Sequence, residues 1–170
     1  VHGALTQFME QVEWGELDYV VVDMPPGTGD AQLTLTQKAP LSGVVIVTTP
    51  QQVSLVDARK GLKMFEQVNV PVIGIVENMS YFVCGNCDAE HDIFRRGGGK
   101  RTAEELGVPF LGEVPLQAGG AASGDDGLPA VLAAPDSPAA KAFLDLARTV
   151  RERLEDQGAE GGLTSMAWQA

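Results

Sequence analysis

The chain has 170 residues, enough for one domain with a real core, and its 44% hydrophobic content is ordinary for a globular protein. Its 12 Lys and Arg against 23 Asp and Glu give a formal net charge of −11, which argues against a general nucleic-acid or anionic-membrane surface and is accounted for by solubility. No apolar run approaches the roughly 20 residues of a membrane-spanning helix, no signal peptide is visible, and both cysteines fall in one CxxC, which favours a cytosolic metal or redox site over a disulfide scaffold.

The first residue is Val1 rather than Met, and a helix-like segment follows at once, so the chain reads as a fragment or a processed product. Within residues 3–14, Leu5, Phe8 and Val12 recur at helical spacing with Met9 beside them, which predicts a helix covering one sheet face and stopped by Gly15. The organising stretch follows, LDYVVVDMPPGTGD from Leu17 to Asp30. Its run Tyr19-Val20-Val21-Val22 predicts a buried central strand over 18–23. Asp23 then stands at the strand's C-terminal end, where open α/β sheets place their ligands. A carboxylate there can hold Mg²⁺ through water. Pro25 and Pro26 stiffen the turn, and Gly27 and Gly29 around Thr28 let the backbone approach a phosphate closely. The competing reading is a strand followed by a plain polar turn; PPGTGD favours the ligand. Asp30 is a candidate N-cap for a helix over 30–38, ended by Pro40.

Gly43 to Thr48 is a second buried strand, with the hydroxyls of Thr48 and Thr49 and then Pro50 at its ligand end. Residues 52–68 predict a helix opened by Gln51 or Ser54, with Leu55, Ala58, Leu62, Phe65 and Val68 as its apolar stripe. Val70 to Val76 is a third strand ending in Glu77-Asn78. Strands joined through helices imply right-handed parallel crossovers. Asn78 therefore falls at the same edge as Asp23 and Thr48. Its amide suits a purine edge or, equally, a turn.

Met79 to Arg96 breaks the alternation and predicts a long functional loop. Gly97-Gly98-Gly99 serves an anion at a helix N-terminus or acts as a hinge; the helix, Lys100 to Leu106, is stopped by Gly107. Val108 to Val114 is a fourth strand, broken by Pro109 and Gly112 and so nearer an edge. A surface loop over 117–138 leads to a closing helix over 138–155, with Ala140, Phe143, Ala147, Val150 and Leu154 as its stripe and Pro138 in its first turn. Residues 1–157 are expected to form one domain and 158–170 a disordered tail.

The cysteine pair, Cys84 and Cys87, admits three readings. A redox dithiol normally opens a helix after an early strand, and this pair lies in a late loop. A structural zinc needs four ligands; His91 is a possible third, though a packing role suits it better, and no fourth is obvious. A two-fold dimer brings two pairs together as a Cys₄ site, suited to zinc or to an exchangeable iron–sulfur cluster.

Taken together, DYVVVDMPPGTGD (18–30), VVIVTTPQ (44–51), IVENMSYFVCGNC (75–87), IFRRGGG (93–99) and GVPFLGEVPL (107–116) resemble the Mrp/ApbC family of P-loop ATPases, which carry iron–sulfur clusters. The resemblance implies an α/β fold, a parallel sheet with flanking helices related to the MinD-type ATPases, working as a cytoplasmic homodimer. It implies that Asp23 is the Walker B residue holding Mg²⁺ through water and that Gly27, Thr28 and Gly29 belong to the γ-phosphate switch. It further implies that Asn78 contacts adenine with Pro50 and Pro115 beside the nucleotide, and that Cys84 and Cys87 hold a bridging cluster, [4Fe–4S] by preference. Apo iron–sulfur proteins are the implied recipients, with no nucleic acid or membrane partner.

Three departures qualify this. The Walker A loop does not occur in these residues, and the fold's first strand is expected to be missing with it; Lys100 is no substitute, since Arg101 follows where Ser or Thr belongs. The expectation for this chain alone is therefore little or no ATP hydrolysis. Gly85 stands where the family often has Pro, and QAGGAASGDD replaces a basic segment after VPL. Two other functions compete: a MinD- or ParA-like partitioning ATPase, disfavoured by the acidic charge, and a non-enzymatic scaffold that binds zinc or a cluster.

Overall fold

The computed structural model describes residues 7–8, 11–24, 29–39, 41–117 and 124–161. After an irregular N-terminal segment come α1 (Asp30–Lys38), β1 (Val44–Thr48), α2 (Gln52–Gln67), β2 (Val72–Val83), β3 (Glu90–His91), α3 (Gly98–Leu106), β4 (Phe110–Gln117), α4 (Ala130–Ala133) and α5 (Pro138–Gly161). β2 is the central strand. It pairs in parallel with β1 on one side and β4 on the other, and antiparallel with the two-residue β3 near its end. The sheet is therefore mixed rather than wholly parallel, because β2 runs on past the end of β1 and the chain folds back beside its last two residues as β3.

The alternating β-branched and aliphatic residues of β1 and β2 give the sheet two apolar faces. On one, Ile46 and Ile75 pack with Leu62 and Phe65 of α2 and Ala103 of α3. On the other, Ile73, Val76, Leu111 and Val114 pack with Leu146, Val150 and Leu154 of α5. Leu62 is fully buried, and burial of one such side chain is worth about 1.5–3 kcal/mol. The predicted α2 stripe is the one that packs: Leu55, Ala58, Leu62 and Phe65 are buried, joined by Met64.

Several expectations are corrected. Residues 18–23 are not a strand, and Val21 is 93% exposed. A strand exists only through its neighbours' hydrogen bonds, and among the described residues β1 pairs with β2 alone, so Tyr19–Val22 have no partner. Residues 11–14 are not helical, and Phe8 and Val12 are exposed, so no helix covers a sheet face there; the remainder of that expected helix lies mostly outside the described residues. The N-cap of α1 is Gly29, one residue before Asp30. Residues 79–83 are not loop but the last part of β2, held by the pairs Phe82↔Leu116 and Val83↔Gln117.

The α5 stripe is rotated: Phe143 is exposed, as is Ala147, and Ala142 and Leu146 face the sheet with Val150 and Leu154. The alanine-rich first turns offer two adjacent stripes, and the one without the bulky ring packs closer. Ser137 caps this helix, its Oγ accepting the Ala140 N–H at 3.1 Å. The helix runs on to Gly161, past the expected end at 155. Among the described residues, no helix is long and apolar enough to cross a membrane.

Candidate functional site

The three parallel strands deliver their C-terminal ends to one edge. Register places Thr48 beside Glu77, and Asn78 beside Val114, with Pro115 next along β4. Pro50 and Pro115 are buried and Asn78 is half-buried. The Asn78 Oδ1 accepts the N–H of Met79 at 2.9 Å. Met79 has φ 53°, and the register with β4 shifts beyond Asn78, so the bulge marks where β2 leaves the sheet's ligand edge. Thus Pro50, Asn78 and Pro115 are brought to one edge. Asp23 is not: it lies in the exposed, unpaired segment. Gly29 ends the approach to α1, and Gly27 and Thr28 lie outside the described residues.

A buried carboxylate organises the next layer. Glu77 is 0% exposed. Its Oε1 accepts the Ser80 hydroxyl at 2.6 Å and the Gly97 N–H at 2.8 Å, and its Oε2 accepts the Gly99 N–H. The helix N-terminus predicted to take an anion does take one, and the anion is the protein's own side chain. Gly97 has φ +89°, and a Cβ on Gly98 would lie 2.9 Å from the Pro50 carbonyl oxygen. Glycine is needed at both positions for α3 to dock against the ligand edge. The sequence signal for Glu77 was an acid directly after a fully apolar strand, followed by a glycine run with open amides.

Beyond the bulge, Tyr81-Phe82-Val83 lead into the cysteine turn. Phe82 pairs with His91 and Val83 with Glu90. The Cys84 N–H donates to Ala89 O at 3.0 Å, and the Asp88 N–H donates to Cys84 O at 2.9 Å. Asp88 takes φ 55°, which turns the chain back. Cys84 is half-buried and Cys87 exposed, both as free thiols. The backbone amides of Asn86 and Cys87, then the Cys87 thiol, hold the Cys84 thiol below its ordinary range. That favours the thiolate, the form that binds metal.

His91 is an exposed residue whose ring lies 6.4 Å from that of Phe82. Among the described residues no group of three or more His, Cys, Asp or Glu is placed to hold a metal ion. The chain's own donor set at this turn is two thiolates, which suits iron–sulfur clusters or zinc but fills half of a four-ligand site.

The fold defines a class. The MinD protein of Pyrococcus horikoshii OT3, solved with Mg-ADP, superposes with a TM-score of 0.65 over 92% of this chain and 57% of that chain; at 20% identity the likeness is one of fold. The nucleotide-binding protein of Archaeoglobus fulgidus, solved with ADP, is 41% identical, with a TM-score of 0.66 over 74% of this chain and 52% of that chain. The architecture is that of the MinD-like P-loop NTPases.

The family model described as "ParA: NUBPL iron-transfer P-loop NTPase" matches residues 1–151, and the chain belongs to that family. The iron–sulfur cluster carrier protein of Synechocystis sp. is 56% identical over 151 residues, 88% of this chain and 43% of that protein. The chain spans about half the length of the curated relatives it matches.

Proposed function

We propose that this chain carries an iron–sulfur cluster held between its Cys84–Cys87 pair and the same pair of a second copy, and hands it to apo iron–sulfur proteins in the cytoplasm. The observation that supports this most directly is the free thiol pair at the tip of a hairpin on the central strand, Cys84 half-buried and Cys87 exposed, with no third donor beside it among the described residues. A four-coordinate site then takes its other two donors from a second copy. A [4Fe–4S] cluster is the cargo favoured by the resemblance and a reducing compartment its setting.

Release proceeds by ligand exchange: each recipient thiolate that binds the cluster frees one carrier thiolate, which takes up the proton the recipient gave up. The exchange has no net redox change. Two thiolates per chain make a shallow hold, as transfer requires.

Nucleotide would be taken further back along the same strand, where Asn78, Pro50 and Pro115 would receive the adenine of ATP. Asp23, which lies here in an exposed, unpaired segment, would hold Mg²⁺ through water only with residues 18–23 joined to the sheet, and Gly27, Thr28 and Gly29 would then sense the γ-phosphate. The phosphate cradle is not among these residues, so this chain alone turns over little ATP. The experiment is transfer. Reconstituted chain is mixed anaerobically with apo-ferredoxin, and the recipient's visible circular dichroism is followed. Recovery of that signal, absent with a Cys84→Ser/Cys87→Ser variant, is expected. Recovery no faster than with free iron and sulfide would contradict the carrier role.

A further inference from the structure

The outgoing leg of the cysteine hairpin pairs with β4 as far as Val83, but its tip and return leg are held more weakly: residues 85–93 are exposed, and β3 contributes two residue pairs. One side chain links the return leg to the outgoing leg and to the body. The Arg96 guanidinium donates from Nη1 to Glu90 Oε2 at 2.7 Å, on the hairpin's return leg. From Nε it donates to Glu113 Oε2 at 2.8 Å, on β4, and its Nη2 lies 2.6 Å from the same oxygen. Its Cζ lies 3.9 Å from the centroid of the Tyr81 ring, on the outgoing leg. A single planar group thus touches both legs of the hairpin and the sheet beneath.

We propose that Arg96 is a positioning residue for the thiol pair: it sets the pitch of the 83–91 hairpin and so the direction in which Cys84 and Cys87 face a metal and a second copy. This rests on the carrier reading above, since it assigns Arg96 to the same site. The alternative, a salt bridge that merely stabilises the fold, is disfavoured by exposure. The side chains of Arg96, Glu90 and Glu113 are 33%, 53% and 21% accessible, so screening by water limits what the three charges add to global stability. Geometry is another matter. Two thiolates ligate one metal only if held to within about 0.5 Å, and no buried side chain in the hairpin supplies that constraint. Arg also differs from Lys here, because the fork to two carboxylates and the stack on a ring both need a planar cation.

The test uses the full chain, metal-free, as wild type, Arg96→Gln, Arg96→Lys and Cys84→Ser/Cys87→Ser. Three quantities are read: Co²⁺ affinity from thiolate-to-cobalt absorption, hydrogen exchange of peptides covering 83–91, and the thermal midpoint. For Arg96→Gln the expected result is at least tenfold weaker Co²⁺ binding and about tenfold faster hairpin exchange, with Arg96→Lys in between. The midpoint is expected to stay within about 3 °C of wild type.

Co²⁺ affinity within twofold of wild type, or unchanged hairpin exchange, would overturn the assignment. A midpoint lowered by 10 °C or more would make Arg96 a fold residue and overturn it equally. Wild type binding Co²⁺ no better than the double serine variant would sink the carrier reading, and the positioning role with it. That comparison does not involve Arg96, so the two failures are told apart.

Discussion

Glu77 shows how one residue couples two parts of the molecule. It ends the pairing of β2 with β1, beside Thr48, and its carboxylate occupies the amides that open α3. Glu77→Gln keeps the shape but places an NH₂ group against a backbone N–H. The expected cost is about 2–3 kcal/mol, read as a lowered urea midpoint at unchanged m. Cys84 gives a second prediction at this scale. Amides of Asn86 and Cys87 hold its thiol below the ordinary range, so the thiolate forms at lower pH than in a free cysteine, near 8.5. In metal-free protein, iodoacetamide should modify Cys84 with an apparent midpoint below that value. Cys87→Ala removes the side-chain donor and keeps the two amides, so the midpoint should move up while staying depressed. At this scale the sequence was partly legible. The placing of both thiols in one turn and of Asn78 at the C-terminal edge of the parallel strands could be read from residue type and spacing; of the two readings of the glycines, the anion was one. Glu77 as that anion, and Arg96 reaching Glu90 and Glu113, could not, because such contacts join positions far apart along the chain.

Among the elements, helices and the α/β alternation were readable because apolar spacing is local: α2 buries the stripe its sequence displays. Strand pairing is not local, and there the reading failed in both directions. Tyr19–Val22 carries the strongest strand signal in the chain and forms no strand. Tyr81-Phe82-Val83, expected as loop, extends β2 because β4 and β3 flank it. The amides of residues 19–22 should therefore exchange in this chain almost as fast as in an unstructured peptide, and those of 73–77 should be protected by orders of magnitude. Amide-resolved hydrogen exchange checks both in one experiment. Protection of residues 19–22 comparable to that of 73–77 would show that the segment has found a strand partner.

Over the whole molecule, β2 is the axis that connects two chemistries. Asn78 stands at the ligand edge, and Cys84 follows six residues on, a span of about 20 Å at strand geometry. Between them lie the Met79 bulge, Ser80 held by Glu77, and Tyr81 against Arg96. The unpaired side of β1, where Val47 is 62% exposed, and the exposed Tyr19–Val22 run leave apolar surface uncovered among the described residues. The cysteine turn is uncovered too, with half of a four-ligand set. The central claim is that a second copy supplies the other half. The direct measurement is the native mass of the chain reconstituted anaerobically with iron and sulfide, beside the Cys84→Ser/Cys87→Ser variant. A brown species of two chains and one cluster is expected, absent in the variant. A cluster retained on a single chain, or a loaded mass unchanged by loss of both thiols, would contradict it.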